Sequence, residues 1–149
     1  MSLEQKPVFV KILAEHVGEE TEVMELTVPG FYSCTEDAHY VRYEEMAENG
    51  EVATKNLLKL QTESMSITKQ GAIQSKMIFC ENVMSEAKYH TPYGEMILEV
   101  NTLSYNVRCE KSTVNDVNYA VDLLYELGAG GQIFTKCHMS IEIVSALLK

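Results

Sequence analysis

Along most of this chain, apolar residues alternate with polar ones in short runs that are separated by turn residues. In residues 65–109 these runs surround the segment YHTPYGE, at positions 89–95. Pro92 fixes its own φ and favours an extended Thr91, whereas Gly94 can adopt a positive φ without a steric clash. A period of two on both sides of this segment is typical of strands with one face against a core. The segment is therefore predicted to join two antiparallel strands.

The same alternation recurs in both flanking parts of the chain, at residues 8–15, 23–28, 39–45, 53–62, 103–110 and 133–143. Pro29 and Gly30 interrupt one run, as a strand does where it turns a barrel corner, and Asn49 and Gly50 form a strong turn signal. Short strands at near-regular spacing favour a sheet that closes to hide its edges. We expect an all-β fold, a single antiparallel and mostly up-and-down closed β-barrel of about eight to ten strands over residues 1–149.

Two segments near the end of the chain have a second interpretation. Residues 115–127 alternate as a strand does, but Asn115 is also a suitable N-cap for a helix that would end before Gly128. The strand is favoured because the neighbouring segments are strands. The final residues, 145–149, are expected to form a short helical tail.

Composition narrows the class of protein. Twelve basic and 22 acidic residues give a net charge of −10, and such a field repels nucleic-acid phosphates. No run reaches the roughly 18 apolar residues of a membrane helix, and the first residues do not resemble a signal peptide. We expect one cytoplasmic domain, monomeric or homodimeric, with no nucleic-acid or membrane partner. The four widely spaced cysteines are expected to be reduced thiols in the core.

Few residue patterns indicate catalysis. A Gly-rich phosphate-binding motif and a GxSxG elbow are both absent. The four histidines lack the spacings that bring two imidazoles to one metal ion. Adjacent Glu44 and Glu45 would point to opposite faces of a strand, so they do not form a catalytic pair. No metal ion and no cofactor are expected.

The most suggestive cluster is Tyr40, Arg42, Tyr43 and Glu44, in which Tyr40, Arg42 and Glu44 share one face of a strand. If that face is internal, a guanidinium and a phenol inside an apolar barrel would orient a ligand. The alternative is a surface ladder in which Arg42 pairs with an acid on the next strand. Tyr93, in the YHTPYGE turn, is the fifth candidate ligand-binding residue.

Three functions follow from these residues. The first is a non-enzymatic barrel that binds a small, partly apolar ligand in its interior. The second is an interaction module that uses an open barrel edge or an aromatic patch around Tyr40, Tyr43 and Tyr93. The third is a hydrolase with Glu44 or Glu45 as general base.

The chain also resembles the YwiB-like family of small bacterial proteins over nearly its whole length. The resemblance is carried by GFY at 30–32, YxxYEE at 40–45, MSIEI at 139–143 and the spacing of Lys69, Gly71, Met77, Phe79, Tyr89, Thr91, Tyr93 and Gly94. It implies a calycin-type, lipocalin-like β-barrel and a strand at residues 115–127. It brings no established activity, substrate or cofactor. Lys69 and His138 replace the arginine and the asparagine that the family pattern favours.

Overall fold

The computed structural model describes residues 5–17, 22–109 and 117–146, which form ten antiparallel strands. The strands are β1 (Lys6–Val17), β2 (Glu22–Cys34), β3 (His39–Met46), β4 (Val52–Leu60), β5 (Ser64–Gly71), β6 (Gln74–Cys80), β7 (Met84–Thr91), β8 (Gly94–Cys109), β9 (Asn118–Ala129) and β10 (Gln132–Ser145). Each strand pairs with the next, and β10 pairs with β1 to close the barrel. The all-β closed barrel is therefore confirmed, with ten strands. The closer likeness to calycins stays a prediction.

The alternation in the sequence becomes the two faces of the barrel wall. In β1, the side chains of Val8, Val10 and Ile12 are buried inside, whereas Phe9 and Leu13 point outward. Successive strand residues point to opposite faces, so one apolar parity is enough to build the interior. The other parity lies on the outer surface.

Side chains from nearly every strand fill the centre of the barrel. The Phe79 ring of β6 contacts the Tyr125 ring of β9, with centroids 4.8 Å apart and planes tilted by 58°. The same core cluster contains fully buried aliphatic side chains: Val8, Val10, Val41, Leu58, Leu60, Met65, Val100, Leu123, Ile141 and Ile143. Each fully buried side chain of this size contributes about 1.5–3 kcal/mol of hydrophobic stabilisation. This core packs the strands against one another across the barrel.

Several local predictions are confirmed. The segment with two interpretations forms β9 from Asn118 onward, so the strand is correct. The YHTPYGE segment joins β7 and β8, and Gly94 has a φ of 131°. Within this turn the Thr91 hydroxyl accepts a hydrogen bond from the Tyr93 N–H and donates one to the Gly94 carbonyl. The helical tail expected for residues 145–149 is not confirmed. Its first residue, Ser145, is the last residue of β10, and residues 147–149 lie outside the described residues.

The expectation of buried cysteines was wrong for most of them. All four are free thiols, but Cys137 alone among them is buried, and Cys34 and Cys109 are exposed. Both exposed cysteines lie at strand ends, where the wall gives little cover.

A helix that could span a membrane is not found in the described part of the chain.

Backbone pairing is short at two places in the wall. β2 pairs with β3 only over residues 30–34 and 39–43. β6 pairs with β7 only at Gln74 with His90 and at Ser75 with Tyr89. Neighbouring ladders are longer, as in β1 with β2, where residues 6–16 pair with residues 22–32. The first short ladder positions the candidate site.

Candidate functional site

A groove of about 900 Å³ lies where β2 and β3 separate. The β2–β3 ladder ends at Gly30 and Tyr43, and the preceding residue of β2, Pro29, has no backbone N–H to donate. The two backbones are close at this point, because a Cβ on Gly30 would lie 2.7 Å from the Arg42 carbonyl oxygen. Beyond it, β2 continues along β1 while β3 continues along β4. This divergence opens the groove.

Apolar side chains form much of the groove wall. Phe31 on β2 is 53% exposed and Met46 at the end of β3 is 59% exposed, although both are large and hydrophobic. Val28, Pro29 and the half-buried Leu57 complete this surface. Concave surfaces of this kind, with a few polar groups, are typical of small-molecule sites.

Three of the five residues predicted to bind a ligand line the groove. They are Arg42, Tyr43 and Glu44, all on β3. Arg42 and Glu44 are exposed on the outer face, whereas Tyr43 points inward and is 5% exposed. Of the two alternatives for this face of β3, the structure therefore has the outer one, and the condition for an internal site at Arg42 and Glu44 is not met. The groove brings the three together because it lies at the separation of two strands and is lined by residues from both faces.

The other two predicted residues lie elsewhere. Tyr40 is half-buried on the outer face of β3, where Lys59 Nζ lies 6.0 Å from its ring centroid. Tyr93 is fully exposed in the turn between β7 and β8. Neither is among the groove residues. Tyr40, Tyr43 and Tyr93 consequently do not form one aromatic patch.

Arg42 has apolar neighbours on both sides. It is directly opposite Phe31 on β2 and Leu57 on β4. Among the described residues it has no hydrogen-bond or ion-pair partner. The surface ladder expected for Arg42, with an acid on the next strand, is therefore absent from the described part of the chain. An unpaired guanidinium beside apolar side chains is free to bind a ligand group.

A polar cluster that the sequence did not indicate lies behind the groove. Lys69 Nζ donates to Glu45 Oε1 at 2.8 Å and to Asn56 Oδ1 at 2.9 Å, and Asn56 Nδ2 donates to Glu45 Oε1 at 3.0 Å. The strand register places Tyr43, Asn56 and Lys69 in one row across β3, β4 and β5. Tyr43 and Asn56 also line the groove, and we call these two residues its polar floor. The hydrogen bonds from Lys69 and Glu45 fix the position of Asn56 in this floor.

The ionisation of this cluster follows from its contacts. Burial disfavours the Glu45 carboxylate, but the hydrogen bond and charge of Lys69, with the Asn56 hydrogen bond, outweigh burial and lower the pKa of Glu45. Burial, with a contribution from the Glu45 charge, raises the pKa of Tyr43 well above its ordinary value. Tyr43 therefore stays protonated and retains an O–H that can donate.

Two further polar groups lie inside the barrel away from the groove. Tyr32 Oη lies 2.7 Å from His39 Nδ1 and 3.5 Å from Tyr119 Oη, and these three rings stack near one end. Cys137 Sγ lies 3.2 Å from His16 Nδ1. Burial raises the pKa of the Cys137 thiol, against the weaker effect of its hydrogen bonds, which disfavours the nucleophilic thiolate.

The glutamates proposed as a general base lie in different environments. Glu44 is exposed, whereas Glu45 accepts hydrogen bonds from Lys69 and Asn56. A lowered pKa makes Glu45 a weaker base, and general bases are usually tuned the other way. Among the described residues no group of three or more His, Cys, Asp or Glu side chains is arranged to hold a metal ion.

Comparisons with known proteins agree with this fold. The uncharacterised β-barrel protein YwiB of Bacillus subtilis (strain 168) is 25% identical over 123 residues, covering 83% of this chain and 81% of that protein. The crystal structure of the ywiB protein from Bacillus subtilis matches with a TM-score of 0.82 at 19% identity, covering 97% of this chain and 96% of that chain. The model of a domain of unknown function, DUF1934, matches residues 10–141. The resemblance to the YwiB-like family is thus confirmed, and the chain belongs to the DUF1934 family of β-barrel proteins.

Proposed function

We propose that this protein is a non-enzymatic binder of a small, partly apolar ligand, and that the ligand occupies the groove between β2 and β3. The observation that carries the proposal is a groove of about 900 Å³ with an apolar wall and few polar groups. Pockets for small ligands have volumes of roughly 300–1,000 Å³ and a similar lining. Binding would cover Phe31 and Met46, which are large hydrophobic side chains exposed in the free protein.

The groove is a better location than the barrel centre. Phe79 and Tyr125 meet inside the barrel, and Leu58, Leu123 and Ile141 are fully buried around them. A ligand in the centre would have to displace such side chains, and cavities or strain in a packed core cost several kcal/mol. A ligand in the groove covers exposed surface without disturbing this packing.

The polar floor supports binding of a ligand with one polar end. Tyr43 has no hydrogen-bond partner for its hydroxyl in the described part of the chain, although the residue is 5% exposed. Asn56, beside it in the strand register, is fixed by Lys69 and Glu45. Preorganised polar groups of this kind orient a ligand at a small entropic cost.

A neutral apolar dye, N-phenyl-1-naphthylamine, tests the proposal by its fluorescence on binding. We expect saturable binding to the native protein and a loss of about tenfold in affinity for Phe31→Ala, since about 1.4 kcal/mol of apolar contact corresponds to tenfold. Ile78→Ala is the control, because Ile78 is a similarly exposed apolar residue on β6. Equal losses in both variants, or no saturable binding, would exclude the groove.

A second candidate is an interaction module that accepts a peptide strand. It is favoured by one observation: β2 and β3 diverge beyond Gly30 and Tyr43, which leaves the facing backbone edges of residues 22–29 and 44–46 without a ladder between them. Extended peptides add to such edges through main-chain hydrogen bonds. Amide hydrogen exchange distinguishes the candidates, since a peptide strand slows exchange along residues 44–46 and a small ligand leaves it nearly unchanged.

A further inference from the structure

The position of Arg42 in the barrel wall determines what it can bind. Cross-strand pairing places Arg42 in an outward-facing row with Pro7, Phe31, Leu57 and Thr68. Directly opposed side chains have Cβ atoms about 4.5–5.5 Å apart, so the residues next to Arg42 in its row are apolar. No carboxylate lies opposite it. Its charge is therefore available to a molecule that enters the groove.

The other charged groups in the groove leave this charge uncompensated. The charged side chains among the groove residues are Arg42, Glu44 and Lys55. Glu44 is directly opposite Lys55 in the β3–β4 register and shares the outer face of β3 with Arg42, so the three charges sum to +1. Arg42 then gives the groove a local positive charge on a chain whose net charge is −10. Local charge complementarity of this kind favours an anion.

The guanidinium group and its surroundings indicate which chemical class of anion Arg42 would bind. A guanidinium binds a carboxylate through two parallel N–H···O bonds, and its weak hydration allows it to lie against apolar surface. Nucleic acids bind through several basic side chains, whereas the groove residues carry a net charge of only +1 on an acidic protein. A single carboxylate on an apolar body matches both the charge and the walls.

We infer that the ligand is a small organic monocarboxylate, whose carboxylate binds Arg42 and whose aromatic or aliphatic body lies against Phe31 and Leu57. This inference depends on the proposed ligand-binding function and names the chemical class of its ligand. Tyr43 is also one of the groove residues. Arg42 acts as the specificity-determining residue, because the apolar walls alone do not distinguish an acid from its amide.

Two probes of equal shape test the inference. 2-Naphthoate carries a carboxylate, and 2-naphthamide has the same ring system without the charge. Isothermal titration at low salt is expected to give at least tenfold tighter binding of 2-naphthoate to the native protein. Arg42→Gln should lower the affinity for 2-naphthoate at least tenfold and leave 2-naphthamide unchanged. Arg42→Lys, which keeps the charge but not the two-bond geometry, should give an intermediate affinity.

Lys76→Gln is the matched control, since it removes one positive charge from an exposed position on β6 outside the groove. It should leave both affinities unchanged. Equal affinity of the native protein for the two probes, or a loss in Lys76→Gln equal to that in Arg42→Gln, would overturn the assignment of Arg42 and leave the ligand-binding function standing. If neither probe binds, and N-phenyl-1-naphthylamine also fails to bind, the ligand-binding function itself is wrong.

Discussion

Replacing Lys69 by methionine tests whether the polar cluster behind the groove stabilises the barrel. Lys69 Nζ donates to Glu45 and to Asn56, and its side chain is 24% exposed. Methionine keeps much of the length and apolar volume of the lysine stem but cannot donate. The substitution therefore removes two hydrogen bonds and one charge with little change in packing.

The size of the effect follows from the exposure of each partner. Asn56 is 3% exposed, and its Oδ1 would lose the Lys69 hydrogen bond. An unsatisfied buried acceptor costs about 1–3 kcal/mol. The Glu45 side chain is 40% exposed, so water screens the lost ion pair, which contributes about 0–1 kcal/mol. We expect Lys69→Met to lower the free energy of unfolding by about 2–3 kcal/mol.

Urea unfolding followed by circular dichroism measures this change. With a slope of about 2 kcal/mol per molar urea, the midpoint should fall by roughly 1–1.5 M. Lys76→Met is the control on the exposed face of β6, where a surface substitution changes stability by about 0.5 kcal/mol or less. The double variant with Glu45→Gln should show a coupling energy of about 1 kcal/mol. A midpoint for Lys69→Met equal to that of the control would refute a stabilising role for the cluster.

Three further outcomes test other parts of the structure. Gly30→Ala should destabilise the barrel by about 1–3 kcal/mol in urea unfolding, because the new Cβ would lie 2.7 Å from the Arg42 carbonyl oxygen; unchanged stability would mean that the strands separate freely. Phe79→Ala should cost about 3–5 kcal/mol by the same measurement, since Phe79 is fully buried and its ring packs against Tyr125; a cost below about 1 kcal/mol would indicate a loosely packed centre. Because the pKa of Glu45 is lowered on folding, its contribution is fully present above its ordinary pKa and is lost as the pH falls through the lowered value; the urea midpoint of Glu45→Gln should therefore decline less steeply than that of the native protein below about pH 5, and parallel declines would contradict the pairing with Lys69.

The strands were predictable because their signal is local. A side-chain period of two needs only neighbouring residues, and it correctly assigned β9 despite the competing helix pattern. The turns at Gly50 and Gly94 were also readable from residue type, and both have a positive φ in the structure. Closure into a barrel followed from the number of strands and their need to hide edges.

The orientation of β3 was not predictable in the same way. Parity correctly placed Tyr40, Arg42 and Glu44 on one face, but it does not say which face is internal. Each face of this strand carries a tyrosine and a glutamate, so their polarities are similar. In the folded barrel Val41 and Tyr43 are buried, so the face of β3 that carries them is the internal one.

The groove and its floor depend on register, which the sequence does not specify directly. The groove exists because the β2–β3 ladder ends at Tyr43, and this end point depends on the course of both strands. The cluster of Glu45, Asn56 and Lys69 forms only when β3, β4 and β5 pair in the observed register. Lys69 departs from the family pattern in the sequence. Its contacts with Glu45 and Asn56 depend on the register of β3, β4 and β5, which the sequence does not give.

The two short ladders, between β2 and β3 and between β6 and β7, divide the wall into two panels. One panel consists of β3 to β6, and the other consists of β7 to β10 with β1 and β2. Few backbone pairs join the two panels along either seam, with five residue pairs between β2 and β3 and two between β6 and β7. The two panels are thus held together by the packed centre, where Phe79 of β6 meets Tyr125 of β9, as well as by these short ladders.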